Sequence, residues 1–268
     1  MTPIDPFQSL REALAGQDNP SEDLGVRIDR SRRTRTGAPE VVYGQGKSVD
    51  QIVAAARRLV AVEGRALVAR IDPALFDATI EELAASGFES TADRTARTLV
   101  TIESGVVPPS TGGRVGILTA GSSDRPQALE AAAVLAEMGC ATCIRYDMGI
   151  AGLHRLVSPL QEMLLFDPDA LIVAAGMDGV LPGVVSGLVS LPVVALPTST
   201  GYGFGGEGLG ALTTMLQTCA PGMAVAISRP FSGGVDWSRR PANTSVGARM
   251  PASCVRRSQS RTAAQQPA

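Results

Sequence analysis

Gly121-Ser122-Ser123-Asp124-Arg125-Pro126 follows the apolar run 115–118 directly and opens a helical stretch. A strand that ends in small and hydroxylated residues ahead of a helix makes an anion cradle. The N–H groups of the helix's first turn have no intrahelical acceptor and carry partial positive charge. A phosphate held there would also accept from the Ser122 and Ser123 hydroxyls, with Asp124 as N-cap and Pro126 in the first turn. The same six residues suit a plain capped turn, so the chemistry depends on what else shares that edge.

Reactive side chains are few. His154 is the only histidine, which excludes a His-rich metal centre. The four cysteines, Cys140, Cys143, Cys219 and Cys254, are too few and scattered for a secreted disulfide framework. Cys140 and Cys143 have CxxC spacing but no second pair, and Cys143 falls in an apparent strand, which argues against structural zinc and against a thioredoxin-type pair. Cys219 closes a helical stretch just before Ala220-Pro221-Gly222. A cysteine there is usually a small buried hydrophobe, and a helix C-terminus disfavours the thiolate. A nucleophilic role would require a cation nearby: Arg155, protonated His154 or a cationic substrate.

The elements that must position these groups show in the hydrophobic pattern. β-Branched runs at 115–118, 142–146, 170–174, 193–196 and 223–227 alternate with helical segments at 126–138, 153–165, 182–190 and 208–218. Such alternation predicts a parallel sheet covered on both faces, with ligands beyond the carboxyl ends of the strands. Beyond those ends stand the cradle, then His154 and Arg155, then Gly176, Met177 and Asp178, then Thr198 and Ser199. Turns are needed there; His154, Arg155 and Asp178 are not. Gly203-Phe204-Gly205-Gly206-Glu207-Gly208 matches GxGxxG, but it follows the fourth strand, and the strand after it ends without an acid to hold a ribose. It reads as a loop that closes over a ligand, or as a purely structural loop.

The 268 residues are 44% hydrophobic, 19% charged and 4% aromatic, with a formal net charge of -2. These values fit an ordinary α/β protein and give no global attraction to nucleic acid or membrane. Without a spanning apolar run or an N-terminal hydrophobic signal core, the chain reads as cytoplasmic. The expected organisation is an N-terminal arm (1–23), a small α/β domain (24–105), a Pro/Gly linker (106–113), a catalytic domain (114–228) and a tail (229–268). In the small domain, helices are expected at 49–62 and 73–85 and strands at 66–71 and 99–102. The tail is rich in Arg, Ser, Pro and Thr without periodicity, which predicts disorder, and its lack of stacking aromatics argues against RNA. The basic run through Arg32, Arg33 and Arg35 reads as a solvated arm or as a face that holds phosphates.

Gly121 to Pro126, Ala151-Gly152-Leu153-His154-Arg155, Ala174-Ala175-Gly176-Met177-Asp178-Gly179 and Leu181-Pro182-Gly183 resemble, in order and spacing, the carboxyaminoimidazole ribonucleotide mutase (PurE) family. The chain is more similar still to the LarB family, whose C-terminal domain is PurE-like. Arg32-Arg33, Gly37-Ala38-Pro39-Glu40-Val41-Val42-Tyr43-Gly44, Ala96-Arg97-Thr98-Leu99-Val100, Tyr146-Asp147-Met148-Gly149-Ile150 and Cys219-Ala220-Pro221-Gly222 carry that likeness, which covers residues 24–225.

The resemblance implies a flavodoxin-like three-layer domain and a nucleotide substrate, nicotinic acid adenine dinucleotide. The ring is carboxylated with carbon dioxide or bicarbonate, and the phosphoanhydride is hydrolysed to give pyridinium-3,5-biscarboxylic acid mononucleotide and AMP. It implies Cys219 as nucleophile, with Asp178 and His154 as catalytic partners. Substrate contacts fall to Gly121, Ser122, Ser123, Asp124, Arg155, Gly176, Met177, Thr198, Ser199, Arg32 and Arg33. Asp178 stands where the family commonly has Glu, and His154 also fits a hydrogen-bonded loop histidine. No tightly bound cofactor is expected; Mg2+ would be an accessory, with no ligands assigned, and self-assembly into a homo-oligomer is implied. A purine-pathway carboxylase or mutase, which needs no cysteine, and a non-catalytic nucleotide-binding protein are the alternatives. Beyond Ile227 the chain leaves the family pattern abruptly, which points to a frameshift or a divergent terminus.

Overall fold

The computed structural model describes residues 24–108 and 110–226, so the expectations for the arm at 1–23 and the tail at 229–268 lie outside the described residues. The chain divides into two units, Met1–Val107 and Pro108–Ala268. In the first, the basic run forms α1 (Arg32–Thr36) and is followed by β1 (Val41–Tyr43), α2 (Val49–Glu63) and β2 (Arg65–Ala69). A short 3-10 turn leads into α3 (Phe76–Ala85), then β3 (Glu89–Asp93) and β4 (Thr98–Ile102). α2 starts at a reciprocal capping box between Ser48 and Gln51, which satisfies two N–H groups that the helix leaves open. Its Ile52, Ala56, Leu59 and Val60 fall on one face, at helical spacing, and pack with Phe76, Leu83 and Leu99.

The sheet of this unit has the order β1-β2-β4-β3, with β1 parallel to β2 and the other pairs antiparallel. The basic run is a short, largely exposed helix rather than a loose arm, and its arginines are ion-paired: Arg32 with Glu40 at 2.5 Å, Arg33 with Glu63 at 2.8 Å and Arg35 with Asp29 at 2.6 Å. Hydrogen bonding from Arg35 holds the Asp29 carboxyl below its ordinary value.

The second unit follows the alternation read from the sequence. It runs β5 (Arg114–Thr119), α4 (Arg125–Glu137), β6 (Ala141–Arg145), α5 (His154–Leu165), β7 (Ala170–Ala175), α6 (Leu181–Leu188), β8 (Val193–Pro197), α7 (Leu209–Leu216) and β9 (Met223–Val225). All four strand pairings are parallel, in the order β6-β5-β7-β8-β9. That order is 2-1-3-4-5, the flavodoxin-like arrangement, whose switch point lies where the chain turns from β6 back across β5 to β7.

One face of this sheet packs against α4 through Val115, Ile117, Ala128 and Leu135. The other packs against α5, α6 and α7 through Leu118, Met163, Leu171, Val185 and Met215. Because side chains alternate across a strand, continuous runs such as Ala-Leu-Ile-Val-Ala-Ala in β7 supply both cores at once.

Gly116 admits α5 close to the sheet. A Cβ there would lie 2.5 Å from Met163 Sδ and 2.6 Å from Leu171 Cδ2. Gly116→Val is therefore expected to cost about 1–3 kcal/mol through overpacking. Gly187, inside α6 with open space around its Cβ position, should gain about 0.5–1 kcal/mol on replacement by Ala. Thermal unfolding of the two variants should shift in opposite directions; equal shifts would contradict the packing described.

Candidate active site

β5 ends at Thr119, and residues 121–124 form the cradle loop, with a 3-10 turn over Ser122–Asp124 ahead of α4. Pro126 lies in the first turn as expected, but Asp124 makes no side-chain cap on α4. Its carboxylate turns inward and is only 2% exposed. It accepts from Gly121 N–H at 2.9 Å, Thr198 Oγ1 at 2.6 Å and Thr200 Oγ1 at 2.5 Å. Asp124 thus corrects the expectation that it caps α4, because its carboxylate instead accepts from three donors of the loops around it. Ser122 and Ser123 remain exposed at the mouth.

The same network fixes the ends of β7 and β8. Thr200 O accepts from Met177 N–H at 2.7 Å, and the Thr198 and Thr200 hydroxyls lie 2.7 Å apart. Gly176 fits beneath them because it has no side chain: a Cβ would lie 1.9 Å from Thr200 O and 2.1 Å from Thr200 Oγ1. Met177 is half-exposed with a left-handed backbone (φ 49°), Thr198 is buried and Ser199 is exposed. Asp178 is exposed and accepts from Val180 N–H at 3.3 Å, leading into α6.

Beyond β6, Asp147 takes a left-handed conformation (φ 59°) and Arg155 folds back onto it, Nη1 to Oδ2 3.3 Å. Arg155 Nη2 also donates to Gly149 O at 3.4 Å. The Cβ position of Gly149 lies 3.3 Å from Arg155 Nη2 and 3.0 Å from Ala120 O, so the guanidinium stands close beside the cradle. His154 is exposed in the first turn of α5. A second cation escaped the sequence reading: Arg125, the residue after Asp124, stacks its guanidinium 5.2 Å from the centre of the Tyr146 ring. Its signal would have been an arginine at the first helical position of a cradle, but the ring that holds it is a long-range partner.

Cys219 follows α7 and precedes β9. It is not a buried hydrophobe but exposed, and it lines an open groove of about 510 Å³ with Gly179, Val180, Gly183, Thr218 and Met223. Asp178 is not part of that wall, although its neighbour Gly179 is: Asp178 follows β7 at the carboxyl end of the sheet, whereas Cys219 precedes β9 at the amino end, and the groove runs between α6 and α7. β6 and β9 are the outer strands of the sheet. At ~4.8 Å per strand spacing they stand roughly 19 Å apart, with His154 and Arg155 following β6 at its carboxyl end and Cys219 preceding β9 at its amino end.

No Lys, Arg or His lines the groove, so none of the protein cations weighed for thiolate activation is part of its wall. Arg32 and Arg33 belong to the first unit and are ion-paired there. Among the described residues, no three His, Cys, Asp or Glu side chains gather as for a metal ion, and no helix is long and apolar enough to cross a membrane.

Asp124→Ala leaves three donors without their acceptor and should cost about 3 kcal/mol or more. Gly176→Ala should be similarly damaging, because backbone must move. Urea unfolding checks both; near-neutral values would contradict the network.

Comparison with known proteins agrees with this architecture. Residues 21–103 match the LarB/PurE-like N-terminal domain family, and residues 114–235 match the AIR carboxylase family. An uncharacterized protein of Methanocaldococcus jannaschii is 42% identical over 212 residues, covering 78% of this chain and 81% of the relative. An N5-carboxyaminoimidazole ribonucleotide mutase of the same organism is 32% identical over 111 residues, 41% of this chain and 65% of that protein. The Thermotoga maritima protein of that name is 30% identical over 128 residues, 46% of this chain and 71% of that protein. With both domain matches in order and the carboxyl-edge cluster in place, the chain belongs to the LarB family, joining a LarB/PurE-like N-terminal domain to an AIR carboxylase domain with a carboxylase-type function.

Proposed function

We propose that the protein carboxylates the pyridinium ring of nicotinic acid adenine dinucleotide and hydrolyses its phosphoanhydride. The products would be pyridinium-3,5-biscarboxylic acid mononucleotide and AMP, the first step of nickel-pincer nucleotide synthesis. The observation that carries this reading is the exposed Cys219 in an open groove of a domain of AIR carboxylase type. Carboxylation of an aminoimidazole needs no thiol, because that ring is already electron-rich.

A pyridinium ring is electron-poor and does not attack carbon dioxide. Addition of the Cys219 thiolate para to the ring nitrogen forms a C–S bond and moves a ring electron pair onto nitrogen. The resulting dienamine is nucleophilic at the carbon next to the adduct, which bonds to carbon dioxide. Loss of the proton from that carbon, with Asp178 as acceptor, and expulsion of the thiolate restore aromaticity. In this reading the pyridinium charge of the substrate offsets the disfavour of a helix C-terminus for thiolate. The shorter reach of Asp178, where relatives carry Glu, is compatible with proton transfer through a water.

The cradle and Arg155 would hold phosphate oxygens, Arg155 by a two-pronged contact after exchange from Asp147. Water attacks the anhydride and AMP leaves. Magnesium enters this reading only as a companion of the substrate phosphates, its usual mode of binding, and no step here depends on it.

Incubation with the dinucleotide and bicarbonate should give a product one carboxylate heavier than nicotinic acid mononucleotide by mass spectrometry. Cys219→Ala should abolish it, whereas Asp178→Asn should slow it about 10²- to 10⁴-fold. Unchanged turnover in Cys219→Ala would refute the nucleophile. Ligand-induced thermal stabilisation without any product would favour a non-catalytic nucleotide-binding protein.

A further inference from the structure

The loop over residues 201–208, Gly-Tyr-Gly-Phe-Gly-Gly-Glu-Gly, carries two of the most exposed apolar side chains among the described residues. Tyr202 is 82% exposed and Phe204 is 110% exposed. Aromatic rings left in water are costly, and two of them two residues apart make a surface suited to being covered. Met177 extends it: 47% exposed, it packs under the loop, its backbone N 3.3 Å from the Cβ position of Gly201. Its Sδ lies 3.8 Å from that same position, so a polarizable thioether adjoins the base of the loop.

The root of this loop is the Thr198–Thr200 segment, bonded to Asp124, whose other partner is the N–H of the cradle's Gly121. The aromatic tip therefore grows from the same fixed frame as the proposed phosphate site. Its only charged residue is Glu207, so the loop carries no basic side chain for a phosphate and its large exposed side chains are the two aromatic rings. We infer that Tyr202 and Phe204 form a stacking subsite for a heteroaromatic base, the second base of a dinucleotide whose phosphates lie in the cradle. This rests on the reading of the site as a nucleotide pocket, and it names the two residues that select a dinucleotide over a mononucleotide. Every base presents a π face, and stacking on aromatic side chains is tolerant of which base it is.

Calorimetric titration of the full chain with nicotinic acid adenine dinucleotide and, separately, nicotinic acid mononucleotide tests it. Tyr202→Ala/Phe204→Ala should weaken the dinucleotide about tenfold or more and leave the mononucleotide within about twofold, while Phe204→Trp retains dinucleotide binding. Equal losses for both nucleotides, or no loss for the dinucleotide, would overturn the subsite. So would a loss that accompanies a shift to smaller species in sedimentation, since the rings would then be covered by a second copy. Phe204-dependent binding without a carboxylated product would overturn the proposed reaction and leave the subsite standing. Turnover with unchanged KM in the double variant would do the reverse, and wild-type protein that binds neither nucleotide overturns both.

Discussion

A buried carboxylate holds the carboxyl edge of the second unit together. Asp124 is 2% exposed and takes hydrogen bonds from the loop after β5 and from two hydroxyls after β8, while Thr200 in turn accepts from the loop after β7. A buried anion is tolerated only when its lone pairs are met by donors, and here three donors meet it. Those bonds offset the cost of taking the charge out of water and tie three loops together. The cradle, Gly176-Met177-Asp178 and the glycine-rich loop consequently share one frame. Arg155, Ser122 and Ser123 stay at the surface of that frame.

The distribution of charge around that frame divides the site. The cradle side has the open N–H groups of α4, two serine hydroxyls and the guanidinium groups of Arg125 and Arg155, all suited to anions. The Cys219 groove mixes apolar residues such as Val180, Val184 and Met215 with the neutral polar Thr214, Gln217 and Thr218, and has no basic residue in its wall. The dinucleotide of the proposed reaction is anionic at its phosphates and cationic at its reacting ring.

Much of this was legible in the sequence where the signal is local. The strands of the second unit show as continuous apolar runs because both faces are buried, and the order of elements then fixes which residues stand at the carboxyl edge. β1, three residues long, and β3, the polar run Glu-Ser-Thr-Ala-Asp, were not legible because neither buries a regular face. Asp124 reads locally as a cap, yet its deciding partners lie 74 and 76 residues away. Arg33 reads as a free cation until Glu63, 30 residues on, is brought beside it. The exposure of Cys219 had no local signal either, since it follows from how α6 and α7 leave a groove between them.

The central claim is that carbon from bicarbonate is placed on a pyridinium ring by way of Cys219. Wild-type protein offered carbon-13 bicarbonate together with equal amounts of nicotinic acid adenine dinucleotide and aminoimidazole ribonucleotide tests it directly. NMR should find the label as a second ring carboxylate on the pyridinium product and none on the imidazole. Label on the imidazole alone would contradict the account and return the protein to purine chemistry.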